Sequence, residues 1–205
     1  MPPSSNPSSV FSNSISEHLD IIRRLASQEA AFQRAADLLI GCLLRGSKIV
    51  WCGNGGSAAD AQHLAAELVG RFRRPRCALN SFALTADVSV LTAISNDFGF
   101  EKVFERQVEA LCQPGDVVVG LSTSGDSGNV CGALRRARQL HISTVAITGE
   151  GGGRLAEFAD ICLRVPSTDT ARIQEAHILL GHMLCESVDA ALCLEEQFEA
   201  AGALV

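Results

Sequence analysis

The sequence predicts a doubly wound α/β domain: a parallel five-stranded sheet flanked by helices, with a helical arm ahead of it. Three observations predict it. Short apolar runs recur at residues 48–52 (KIVWC), 79–84, 116–121 (DVVVGL), 143–148 and 161–165. Segments with apolar residues at helical spacing separate them. Two of the runs end in loops rich in glycine and serine. Near-continuous Val-rich strands belong to sheets buried on both faces, and such sheets are parallel. Right-handed crossovers then place helices on both sides.

Taken in order, the chain opens with residues 1–14, rich in Pro, Ser and Asn, which read as a flexible lead-in. This segment lacks the basic and apolar regions of a signal peptide. Residues 15–44 carry Leu19, Ile22, Leu25, Ala31, Phe32, Ala35, Leu38, Leu39 and Leu43 at helical spacing, so two helices or one bent helix are expected. Gly46 stops the second. Helices are expected at 57–69, 87–95, 104–112, 127–140, 154–158 and 169–196. One domain spans 15–198, with a tail at 199–205.

Composition narrows the function. The chain has 205 residues, 47 % apolar and 20 % charged, which suits one globular domain. The net charge is −6, and no long cationic block is present, so nucleic acid is not the expected ligand. The short run Arg71, Arg73, Arg74, Arg76 reads as a solvated loop after a helix. No apolar stretch is long enough to span a bilayer, so no membrane partner is expected. The eight cysteines form no CxxC pair, and most sit in apolar runs. They read as small buried hydrophobes in a reducing cytoplasm.

In doubly wound sheets ligands bind outside the carboxyl ends of the strands. Both glycine/serine loops fall there. The first, residues 52–57 (CGNGGS), joins a strand to a helix. Its glycines let the backbone approach a ligand, and free N–H groups at a helix start favour an anion. It is neither a Walker loop nor a clean GxGxxG. The second, residues 122–127 (STSGDS), offers four hydroxyls, more than one helix cap needs. Neutral donors of this kind hold phosphate without lysine.

Further along, His63 and Glu67 are spaced i, i+4 and share a helix face. They can bind a metal, supply a general base, or form a plain surface pair. On the last helix, Gln174 and His182 are separated by about 12 Å along the axis at the usual helical rise. They can serve one centre only if the side chains lean together or if subunits share the site. His177 points elsewhere and reads as structural.

The run CGNGGSAADAQHLAAEL at 52–68 resembles the phosphoheptose isomerase (sedoheptulose 7-phosphate isomerase) branch of the sugar isomerase, or SIS, domain superfamily. So do NDFGF at 96–100, STSGDS at 122–127 and RIQEAH at 172–177, followed by His182. The resemblance covers about residues 17 to 198. It implies the SIS, flavodoxin-like sandwich, ketose–aldose isomerisation of sedoheptulose 7-phosphate, zinc, and a homotetramer with sites between subunits. The zinc positions it implies are His63, Glu67, Gln174 and His182, and the implied acid/base pair is Glu67 and His182. The implied substrate positions are Asn54, Gly55, Gly56, Ser57, Glu67, Asn96, Asp97, Ser122, Thr123, Ser124, Ser127 and Gln174. Asp126 departs from the family's usual Asn, and a carboxylate there would repel a phosphate unless it turned away. Ala58 stands where some members carry His. The superfamily also includes a non-catalytic partner of the bacterial replication initiator and sugar-phosphate sensors. Glu67 and His182 favour the enzyme over the first, and the missing DNA-binding segment disfavours the second.

Overall fold

The computed structural model describes residues 7–202, with side-chain surroundings for 9–192. Helix α1 is Pro7–Leu25, a 3-10 turn follows at Ala26–Gln28, and α2 is Glu29–Leu44. The alternation then begins: β1 Ile49–Cys52, α3 Gly56–Val69, β2 Ser81–Ala83 and α4 Val88–Phe98. A 3-10 turn at Phe100–Lys102 leads into α5 Val103–Leu111. The rest is β3 Val117–Ser122, α6 Gly128–Gln139, β4 Ser143–Thr148, α7 Leu155–Phe158, β5 Ile161–Arg164 and α8 Thr170–Gly202.

Most boundaries fall within a few residues of the sequence expectation. The exceptions are α8, which runs to Gly202 rather than residue 196 and makes 199–202 of the expected tail helical, and α1, which starts at Pro7 rather than near residue 15. Residues 7–14 of the expected lead-in are therefore helical. Proline is well tolerated in a first helical turn, where its missing N–H has no partner to lose. Residues 1–6 of that segment, the end of the expected tail at 203–205 and the surroundings of Cys193 lie outside the description. Of the other cysteines, Cys42, Cys52, Cys131 and Cys185 are buried and Cys77 is exposed. Among the described residues no helix is long and apolar enough to cross a membrane.

All strand pairings are parallel, in the order β2-β1-β3-β4-β5. Alternation within a strand divides the core. Ile49, Trp51, Val117 and Val119 face one layer with Leu39, Leu64 and Leu184. Val50, Cys52 and Val118 face the other with Phe104, Val108 and Leu134. Burial on both faces explains why these strands read as unbroken apolar runs.

The strand order reverses direction between β1 and β3. That switch point opens a crevice at the carboxyl ends of the strands. The loops after β1 and β3 are the two glycine/serine loops, so the topology sets them side by side.

Candidate active site

The first loop leaves β1 through Gly53 and turns at Gly55, whose φ of 55° is a left-handed conformation that glycine accepts without strain. No side chain caps α3. A Cβ on Gly53 would meet Ser57 backbone at 2.7 Å, so the loop is closed tightly on the helix start. Asn54 reaches across the crevice to Asn129 in the first turn of α6. Asn54 Nδ2 donates to Asn129 Oδ1 at 2.8 Å, and Asn129 Nδ2 donates back to Asn54 Oδ1 at 2.9 Å.

The second loop is ordered from within. Ser122 Oγ lies 3.0 Å from Ser127 Oγ and accepts from the Gly125 N–H at 3.1 Å. Ser124 Oγ accepts from the Asp126 N–H at 3.1 Å. Ser127 is the N-cap of α6, yet its side chain makes no capping bond. The start of α6 is therefore not closed off by its own cap. The Asp126 carboxylate turns away to Arg154, accepting from its backbone N–H at 3.0 Å and its Nε at 3.3 Å. Those bonds, the backbone one foremost, hold its carboxyl below the usual carboxylate range. The negative charge that would repel a phosphate is thus engaged by an arginine.

A small pocket of about 160 Å³ sits at this loop, lined by Thr123, Ser124, Gly149, Glu150, Ser167 and Thr168 among others. Thr123 and Ser124 were expected at the site. Ser167 and Thr168, from the turn before α8, were not. Nothing in their own sequence context marks them, because the pairing of β5 with β4 brings that turn over.

Beside the loops, α3 and α8 bring three side chains together. His63 Nε2 lies 2.9 Å from His182 Nε2 and 3.3 Å from Glu67 Oε1. One donor atom from each residue falls within 4.8 Å of the others. The two helices approach closely because residue 181 is glycine. A Cβ there would meet Leu64 Cδ1 at 2.5 Å. The next residue, His182, is thereby carried onto His63. The donor set is two imidazole nitrogens and a carboxylate oxygen, which is zinc chemistry. Two atoms at tetrahedral positions about a zinc ion at usual bond lengths lie about 3.3 Å apart. The His63–His182 and His63–Glu67 spacings of 2.9 and 3.3 Å are close to that, so the donor set suits such a metal.

Gln174 lies about two turns before His182 on α8. Its amide packs on the first turn of α3, where a Cβ on Gly56 would meet its Nε2 at 2.2 Å. It also reaches Asp60. Burial raises the Asp60 carboxyl, opposed by a hydrogen bond from the Gln174 amide and by the nearby His63 and His182 rings. Asp60, His63 and Glu67 lie at i, i+3 and i+7 on α3. Sequence reasoning stopped at His63 and Glu67, although the same spacing argument extends back to Asp60.

Asn96 and Asp97 sit at the exposed carboxyl end of α4, where Asn96 Nδ2 donates to Asp97 Oδ1 at 2.8 Å. Asp97 lines a groove between α4 and α5 with Phe98 and Arg106, not the pocket at the second loop. The segment does touch that loop through Glu101, whose carboxylate lies where a side chain on Gly128 would be. His177 is fully buried, as its structural reading implied.

Fold and site together define a doubly wound α/β domain with a His–Glu–His cluster beside its two glycine/serine loops. A family model for the SIS domain matches residues 13–149. The chain is 52 % identical over 174 residues to a phosphoheptose isomerase of Rhodospirillum rubrum, covering 85 % of this chain and 93 % of that one. The solved structure of a phosphoheptose isomerase from Neisseria gonorrhoeae matches with a TM-score of 0.85 at 43 % identity, covering 90 % of this chain and all of that one. A phosphoheptose isomerase structure from Francisella tularensis gives 0.87 at 36 % identity, over 91 % of this chain. The chain belongs to the phosphoheptose isomerase family of SIS domain proteins.

Proposed function

We propose that this protein interconverts sedoheptulose 7-phosphate and D-glycero-D-manno-heptose 7-phosphate. The convergence of His63, Glu67 and His182 beside two anion loops carries this reading. A binding-only relative would need the loops but not the three converging donors.

The two loops hold the phosphate and the sugar chain. Backbone N–H groups at the starts of α3 and α6, with the hydroxyls of Ser122, Thr123, Ser124 and Ser127, supply neutral donors for the phosphate. Asn54, Gly55, Gly56 and Ser57 close over the sugar. Isomerisation then needs a proton to leave C1 and one to return at C2. Glu67 takes the C1 proton, and the electron pair moves into an enediolate. Returning the proton to C2 gives the aldose. His182 shuttles the proton between the C1 and C2 oxygens, so that no net charge accumulates.

His63, Glu67 and His182 would hold zinc, with Gln174 as the fourth ligand that the family resemblance implies. Bound there, zinc supplies a Lewis acid that stabilises charge on the sugar oxygens. As a zinc ligand Glu67 would be a weaker base, so metal binding and proton abstraction at this carboxylate oppose each other.

A homotetramer with sites between subunits fits two surfaces. Val10, Phe11, Ile15 and Leu19 form an exposed apolar stripe on α1. Next to it, an apolar groove of about 410 Å³ is lined by Ile22, Leu25, Phe32, Leu179 and Met183 among others. Sharing between subunits also gives Asn96 and Asp97 a site to reach. The test is incubation of the purified protein with sedoheptulose 7-phosphate, with and without zinc, and assay for the aldose phosphate. Pull-down of a replication initiator, persisting in Glu67→Gln and His182→Ala variants, would favour the binding-only reading instead.

A further inference from the structure

The arginine run at 71–76 is not the plain solvated loop its composition suggests. Arg71 and Arg74 are exposed, but the Arg76 side chain is 0 % exposed and its partner Asp189 is 2 % exposed. Arg76 Nε donates to Asp189 Oδ1 at 2.6 Å. Its Nη2 donates to the Glu67 carbonyl at 2.9 Å. Its Nη1 donates to the Leu68 carbonyl at 2.8 Å and to the Cys77 carbonyl at 2.9 Å. The Glu67 and Leu68 carbonyls belong to the last turn of α3, where backbone acceptors have no helical partner. One guanidinium therefore caps the helix that carries His63 and Glu67.

Its counter-ion lies on the other helix of the site. Asp189 stands seven residues after His182, nearly the same face of α8 two turns on. Its other oxygen accepts from the backbone N–H groups of Arg73 at 2.8 Å and Arg74 at 3.2 Å. Residues 73–76 are thus tied to α8 through Asp189. Immediately before them, Phe72 stacks on the His182 ring with centroids 5.4 Å apart and planes at 24°. Arg73 adds an ion pair to Glu186 on α8.

Burying an ion pair costs each charge its hydration, and an apolar pair of similar volume often does as well for stability. What an apolar pair cannot do is hold the Glu67 carbonyl and the segment bearing Phe72 at fixed distances from α8. We propose that Arg76, paired with Asp189, is a positioning residue of the reaction centre: it locks α3 to α8 so that Glu67, His63 and His182 converge. The inference rests on the isomerase reading above, but it concerns the geometry of the three donors and can be read without turnover.

The experiment compares wild type with Arg76→Lys and with the apolar double variant Arg76→Met/Asp189→Leu. Folding is followed by circular dichroism and thermal melting. Three further readouts are zinc affinity by titration, the His182 ring signal by NMR in metal-free protein, and kcat against KM for sedoheptulose 7-phosphate. The double variant is expected to stay folded, lose roughly 10–100-fold in zinc affinity and in kcat, and shift KM little. Its His182 ring protons should move, since the stacked Phe72 ring no longer shields them. Arg76→Lys keeps the charge but not the fork of donors, and should fall between. Folded variants with wild-type zinc affinity, His182 signal and kcat overturn the proposal. So does failure of both variants to fold, which would make the pair a folding element only. If wild type binds zinc but forms no aldose, the isomerase reading fails, while zinc affinity and the His182 signal still test the clamp.

Discussion

The side-chain amides of Asn54 and Asn129 form a reciprocal pair, each donating to the other at 2.8 and 2.9 Å, across the switch point of the sheet. The pair joins the first glycine/serine loop to the first turn of α6, and Asn129 is buried. Replacing Asn129 with Ala leaves the Asn54 amide without its partner. A half-buried polar group orphaned in this way costs about 1–3 kcal/mol. The Asn129→Ala variant should therefore melt several degrees lower and show a raised KM for the sugar phosphate. Thermal melts and steady-state kinetics check both.

The Asp126–Arg154 contact gives a second prediction. In Asp126→Asn the side-chain oxygen still accepts from the Arg154 N–H, so KM should stay close to wild type. In Asp126→Ala the acceptor is gone and the loop loosens, raising KM and the inhibition constant of inorganic phosphate together by roughly threefold to tenfold. A rise in phosphate affinity on removing the carboxylate would mean that its charge, not its bond to Arg154, dominates.

His177 makes stability depend on pH. Burial pushes its imidazole down to about 4, and the nearby Thr148 backbone opposes this only weakly. An unfolded chain's histidine titrates near 6.5. Between those values the unfolded state takes up a proton that the native state does not, so stability falls as pH falls from about 6.5 to 4. The span corresponds to on the order of 3 kcal/mol. His177→Leu should flatten that slope in urea unfolding measured across the range, and an unchanged slope would contradict the assignment.

The sequence makes the scaffold legible because parallel buried strands leave a clear mark. The run at 143–148 coincides with β4 residue for residue, and the glycine/serine loops fall where the topology needs them. His63 and Glu67 are legible because their contact is local, one turn apart. Contacts that depend on how α3 crosses α8 are not legible in this way. The meeting of His63 with His182 is set by Gly181 against Leu64, and the burial of Arg76 by Asp189 more than a hundred residues later. Composition alone makes Arg76 look like its exposed neighbours. Asn129 carries no local sign of its pairing with Asn54. At the N-terminus, the Pro- and Ser-rich composition hides a helical spacing that Phe11, Ile15 and Leu19 in fact continue.

Glu67 and His182 give the most direct chemical prediction. Removing a general acid or base typically costs 10²–10⁴-fold in rate, so Glu67→Gln and His182→Ala should each lower kcat by about that factor. Both should still bind the sugar phosphate, since the loops are untouched. Binding can be followed by calorimetry with the substrate on the inactive variants.

The central claim is that the His63–Glu67–His182 cluster turns a phosphate-binding crevice into an isomerase centre. Purified protein supplied with zinc and sedoheptulose 7-phosphate, followed by NMR of the sugar, tests it most directly. The predicted result is appearance of the aldose 7-phosphate with wild type and its near absence with Glu67→Gln. No aldose from folded, zinc-supplied wild type, or full activity in Glu67→Gln, would contradict it.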